Sequence, residues 1–208
     1  MKRTIYKILV FMLLLSLVLP TFSGCAREND EELSEIASRL LAESAIVNEI
    51  CFGAGLSHVK DATEGYLTPG YAEATAEART RFGVDTVAEI QEKMYAVYST
   101  ATCDYINSVI FQPVLGDGTV ASYRRYFDAE NGEGKTCLMV KKDYDVFVFG
   151  VATYDNVRVV KHTRSRAEIK VDITVTDGEE SRTVKDITFP LRYEDGWRLD
   201  TVTYASIK

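Results

Sequence analysis

Near Val114 the hydrophobic pattern of this chain changes period, and that change limits the folds open to it. Upstream, apolar residues recur every three or four positions. Leu33, Ile36, Ala37, Leu40, Val47 and Ile50 trace one face of a first helix that runs to about Cys51, where Gly53-Ala54-Gly55 stops it. Asn29 or Asp30 can cap this helix, with Glu31 and Glu32 in the first turn. A second helix is predicted from Thr68-Pro69, with Tyr71, Thr75, Ala78 and Phe82 on one face and Gly83 at its end. Thr86 and Glu89 form a capping box for a third, which turns Val87, Ile90, Met94, Val97 and Tyr98 inward. Ser99 opens a fourth, carrying Tyr105, Ile106 and Ile110.

Downstream, the period is two. Strands are predicted over 121–128, 136–142, 157–162, 167–176, 183–193 and 197–206. Gly116-Asp117-Gly118, Asn131-Gly132-Glu133-Gly134, Asp177-Gly178 and Glu194-Asp195-Gly196 read as turns. Ala167, Ile169, Val171, Ile173 and Val175 alternate with charged or hydroxyl residues, which gives one buried and one wet face. On the wet side Glu168, Lys170 and Asp172 suit cross-strand charge pairs. Helices followed by an antiparallel meander define an α+β class, with the helices on one face of a curved sheet. Trp197 and Leu199 fall on the same strand face, taken as the core side.

Ahead of this domain stands a different kind of segment. Lys2, Arg3 and Lys7 precede an apolar run from Ile8 to Leu19, then Pro20 and Phe22-Ser23-Gly24-Cys25. The run is too short for a bilayer core of roughly 30 Å, and its layout is that of a secretory signal peptide. The cysteine after Ser-Gly resembles the lipobox of bacterial lipoproteins. The resemblance implies cleavage before Cys25, acylation of its thiol with palmitate-class chains, and attachment to the extracytoplasmic face of a cell membrane. The expected organisation is a signal peptide over 1–24, a lipidated tether over 25–32 and a single α+β domain over 33–208.

The charge narrows the partners. The chain carries 24 basic and 31 acidic residues, net −7. Residues 1–24 hold three of the basic residues and no acidic one, so the remainder has 21 against 31, a charge of −10. Such a surface repels nucleic acid. Cys51, Cys103 and Cys137 form no CxxC or His-Cys cluster, so neither a metal nor a cofactor is expected. They are either buried thiols or include one bridge, Cys51–Cys103 or Cys103–Cys137.

Catalytic signatures are sparse. His58 lies in a loop, and His162 sits among Lys161, Arg164 and Arg166 with no orienting partner evident. No GxSxG, P-loop or GxGxxG occurs. Tyrosine is the enriched type, at 12 residues. Its apolar ring and polar tip suit pockets. The candidate ligand site is Tyr71, Tyr95, Tyr98, Tyr123, Arg124 and Tyr126. Within it Arg124-Arg125, between tyrosines, suits an anionic or sugar-like ligand.

The closing stretch from Ile187 to Asp200, with Asp195-Gly196-Trp197 at its turn and Trp197-Arg198-Leu199-Asp200 after it, resembles the last hairpin of the nuclear transport factor 2-like superfamily. That resemblance implies a cone-shaped α+β domain. The stretch from Thr86 to Thr100 is similar to a region of secreted inhibitors of peptidoglycan DL-endopeptidases. The expected role is non-catalytic binding of a ligand or an envelope protein. Modulation of a cell-wall hydrolase, or small-molecule chemistry in the cone, stands as the alternative.

Overall fold

The computed structural model describes residues 28–59, 70–116, 119–122, 124–130, 134–145 and 150–203. Residues 1–27, Cys25 among them, Thr68-Pro69, Tyr123 and the parts of the turns at 117–118 and 131–133 lie outside them. The class is α+β: helices over an antiparallel sheet, with a second, smaller sheet beside it.

Helix α1 spans Asp30–Cys51. Asn29 caps it reciprocally: its side chain accepts from Glu32 N at 2.9 Å, and Glu32 accepts from Asn29 N at 3.0 Å. A cap of this kind contributes about 1 kcal/mol. The helix therefore begins at Asp30, inside the stretch expected to be tether. Leu33, Ala37, Leu40, Leu41, Val47 and Ile50 are buried, as the spacing predicts.

The predicted second helix is shorter than expected. Tyr71–Glu73 is strand β1, and helix α2 covers only Ala76–Phe82, with Thr75 as its N-cap. Two forces decide this. Thr75 Oγ1 accepts from Ala78 N at 3.1 Å, and a residue serving as N-cap leaves the helix. Tyr71 and Glu73 meanwhile pair with Lys141 and Met139, far along the chain. Gly83 ends α2 at φ +60, as predicted. Helices α3 (Val87–Val97) and α4 (Thr100–Ile110) follow with the expected caps, Thr86 and Ser99. Between them Tyr98 and Ser99 are extended, and Ser99 N donates to Leu199 O at 2.9 Å.

The β half divides into separate sheets where one was expected. A two-stranded ribbon joins β2 (Val114–Gly116) to β3 (Thr119–Ser122). The expected strand over 121–128 breaks, and β4 is Tyr126–Glu130. It pairs with β5 (Thr136–Lys141), which also takes β1, in the order β1-β5-β4. The main sheet is a meander of β6 (Val151–His162), β7 (Arg166–Asp177), β8 (Glu180–Tyr193) and β9 (Trp197–Leu199). Register shifts in β6–β7 and β7–β8, with Asn156 and Asp186 at positive φ, mark bulges that bend a sheet.

One core lies between α1 and the meander. Ile169, Val171, Ile173 and Val175 of β7 join Leu191, Trp197 and Leu199 there. Trp197 is 3 % exposed, and its Nε1 donates to Glu28 Oε2 at 2.6 Å. The small sheet is buried on both faces. Tyr126, Leu138 and Val140 enter the main core, whereas Tyr71, Phe127, Cys137 and Met139 form a second cluster. Cys51, Cys103 and Cys137 are buried free thiols, so neither bridge exists.

Candidate functional site

A cleft of about 290 Å³ opens at the C-terminal end of α1. Three stretches of chain line it: Ala54, Leu56, Ser57 and His58 after α1, Arg125 ahead of β4, and Val140, Lys141, Lys142 and Tyr144 where β5 ends. Backbone pairing holds the stretches together. Lys141 N donates to Arg125 O and Lys142 N to Gly70 O, both at 2.9 Å. His58 bridges Ala74 just beyond β1.

Arg125 is the unusual member. It is only 2 % exposed. Its Nη1 donates to Cys51 O at 2.8 Å and its Nη2 to Gly53 O at 2.6 Å, both at the end of α1. That helix has no basic residue in its last turn. Arg125 thus brings, from another element, the positive charge that the negative end of a helix favours. Its guanidinium also lies 4.8 Å from the ring centre of Tyr144 and 5.5 Å from that of Tyr126. Gly55 makes room for it. That residue has φ +71, and a Cβ there would stand 2.2 Å from Arg125 Nη2 and 2.5 Å from the Tyr126 hydroxyl.

The charge is stabilised by dipoles and ring faces. Among the described residues no carboxylate pairs with Arg125. Its Nε is buried with no hydrogen-bond partner there. Lys141, Lys142 and His58 stand around it, half-buried. The lining contains no Asp or Glu, in a chain of net charge −7. Positive potential is therefore concentrated where the walls exclude water and screening is weak.

The Cys51 thiol and the Tyr126 and Tyr144 hydroxyls beside it stay neutral. Burial pushes the Cys51 thiol up to about 12, with Arg125 pulling the other way. Burial also raises the Tyr126 hydroxyl to about 12, against the pull of Arg125, and raises that of Tyr144. A thiol so placed is no nucleophile near neutrality. What the arrangement can offer a ligand is positive charge.

The predicted tyrosine set does not converge on this cleft or on any one place. Tyr71 is buried against Phe127, ring centres 4.8 Å apart, and its hydroxyl donates to Arg124 O at 2.6 Å. Arg124 is exposed and lies over the Phe127 ring at 4.2 Å. Tyr95 is 42 % exposed on α3 and accepts from Asn107 Nδ2. Tyr98 is buried elsewhere, its hydroxyl donating to Asn48 Oδ1 at 2.8 Å and lying 3.0 Å from Thr203 Oγ1. Tyr126 donates to Ile50 O at 2.8 Å, beneath the cleft. Tyr123 lies outside the described residues. Of the basic pair, Arg125 turns inward to the cleft and Arg124 turns out.

His58, Ser57, Lys141, Lys142 and Tyr144 were not predicted as site residues. The adjacent lysines at a strand end were the available signal. His162 has a partner that the sequence does not show: its side chain is 15 % exposed and Nδ1 lies 3.0 Å from Asp30 Oδ1, which fixes β6 to the start of α1. Among the described residues no group of three or more His, Cys, Asp or Glu is placed to hold a metal ion. None of their helices is long and apolar enough to cross a membrane. Comparison with protein-family models, curated proteins and solved structures gives no match.

Proposed function

We propose that this chain is a lipid-anchored protein of the extracytoplasmic face of a cell membrane, whose α+β domain binds a ligand or an envelope protein without transforming it. The anchor would be acyl chains on Cys25, for which the support is the order of charge, apolar run and Ser-Gly-Cys. The observation that carries the binding reading is the cleft: cationic side chains around a buried Arg125 that no described carboxylate neutralises. Turnover in the cleft needs a poised nucleophile or base there with an orienting partner. The thiol nearest Arg125, Cys51, is held neutral by burial. A relation to the nuclear transport factor 2-like superfamily is supported by the order of elements and by Asp200. That residue accepts from Ser99 Oγ at 2.6 Å and Arg192 Nη2 at 2.9 Å, joining the last hairpin to the helices.

Two measurements test this. Wild type and Cys25→Ser are expressed with radioactive palmitate, and label is expected in wild type alone; equal label in both removes the anchor. Purified wild type is then incubated with envelope extract and the extract profiled by mass spectrometry. Unchanged extract is the expected outcome. Conversion of any compound by wild type, lost in His58→Ala, would replace binding by catalysis.

A further inference from the structure

We propose that the cleft at the end of α1 is a phosphate-binding site, in which Lys142 holds the phosphate group of a small ligand above the buried guanidinium of Arg125, with Lys141, whose Nζ lies 5.6 Å from the Tyr71 ring centre, at its rim. This deepens the binding reading and rests on it. Arginine recognises a carboxylate best through its planar fork, two parallel N–H groups at once. In Arg125 both terminal nitrogens already donate to Cys51 O and Gly53 O, and Nε is buried. Two of its five N–H groups are engaged in this way, from a buried position that exposes no flat fork to a carboxylate. What Arg125 contributes is charge, from a position that water cannot screen.

The half-buried cations are lysines, compact point charges that suit a tetrahedral oxyanion of any approach direction. A phosphate monoester carries about −1.5 to −2 near neutrality, which Lys142 and the buried guanidinium match. Lys142 forms no ion pair among the described residues. His58 and Ser57 line the same space and offer further polar contacts. The size agrees. About 290 Å³ is at the lower end of small-molecule sites, enough for a phosphate with a short organic group.

The same group can arrive on a soluble compound or on a lipid headgroup, and the experiment separates the two. The full chain, in neutral detergent, is titrated calorimetrically with inorganic phosphate and with glycerol phosphate at constant ionic strength, chloride serving as blank. Vesicles of phosphatidylcholine with and without phosphatidylglycerol form the second arm. Variants are Lys141→Gln/Lys142→Gln, Ala54→Glu and, as a surface control, Lys161→Gln. Ala54 is exposed at the cleft, so Ala54→Glu adds a carboxylate there without removing a contact.

Saturable binding of phosphate is expected in wild type and Lys161→Gln, weakened at least tenfold in the double variant and in Ala54→Glu. Phosphatidylglycerol-dependent vesicle binding that phosphate competes away identifies a headgroup as the source. Phosphate binding without such competition identifies a soluble compound. No saturation above the chloride blank overturns the proposal, as does equal affinity in folded wild type and Ala54→Glu. Neither failure alters the palmitate or extract results, so the broader reading is judged separately.

Discussion

Two buried polar sites flank the last turns of α1, and they solve the same problem in opposite ways. On one side Ser44, Asn48, Tyr98 and Thr203 form a knot of neutral groups. Tyr98 donates to Asn48 Oδ1, Asn48 Nδ2 donates to Thr203 Oγ1 at 2.9 Å, and Ser44 Oγ donates to Leu41 O at 2.7 Å. Each of these side chains is less than 5 % exposed and each has partners. On the other side stands Arg125, a full charge held by carbonyl dipoles and ring faces and opening on a cleft. A satisfied neutral network has no remaining valence for a ligand and serves the fold. A buried cation without a carboxylate keeps its outward field and can serve a ligand.

The largest test breaks the closed site. Tyr98→Ala removes a buried aromatic and orphans Asn48, and should lower stability by ~3–5 kcal/mol, read from urea midpoints. Phosphate affinity in the folded fraction should not change. A matching loss of affinity would show the two sites to be one unit.

Alkaline pH weakens the protein through both sites. Below the unfolded thiol's 9.0, Cys51 is protonated folded or unfolded, and its contribution is whole. As pH rises past 9.0 the unfolded chain sheds a proton that the folded chain keeps, so stability falls until about pH 12. Tyr126 adds the same sign between 10.0 and about 12, and burial raises Tyr98 likewise. Each group takes off at most ~1.4 kcal/mol per pH unit. Cys51→Ala should flatten the slope of unfolding free energy between 9.0 and the tyrosine range. An unchanged slope would contradict the burial of that thiol.

Gly55→Ala sharpens the contrast from the open side. Positive φ at a non-glycine residue costs about 1–3 kcal/mol, and the new Cβ displaces the guanidinium. Stability and phosphate affinity should fall together here, as they do not in Tyr98→Ala. The smallest stability effect belongs to Lys142→Gln, within ~0.5 kcal/mol by thermal melting, with affinity alone reduced.

Legibility in the sequence follows the same division. Residue types with local meaning were readable: the caps Thr86 and Ser99, the alternation of β7, and Trp197 on the core face. Tyr71 was misread because Tyr71, Thr75, Ala78 and Phe82 fit helical spacing, while Thr75 in fact caps the helix and β5 recruits the residues before it. The cleft is legible in Arg124-Arg125 and in the adjacent Lys141-Lys142, and in neither pair does the sequence show that the two meet. Which arginine turns inward depends on strand register, and Lys141-Lys142 reach Arg125 only through pairing between distant stretches. Tyrosine enrichment marked no single environment, since Tyr98 and Tyr126 are buried and Tyr95 is exposed, and a hydroxyl's partner is set by tertiary contacts such as Tyr98 with Thr203.

The central claim is that the open site holds a tetrahedral oxyanion and the closed site holds none. Crystals of the protein soaked in selenate, read by anomalous scattering, test it most directly. A peak is expected within hydrogen-bonding reach of Lys142 Nζ, above the Arg125 guanidinium, displaced by added phosphate. A cleft without a peak while selenate fills other surface positions, or a peak that phosphate leaves unmoved, would contradict it.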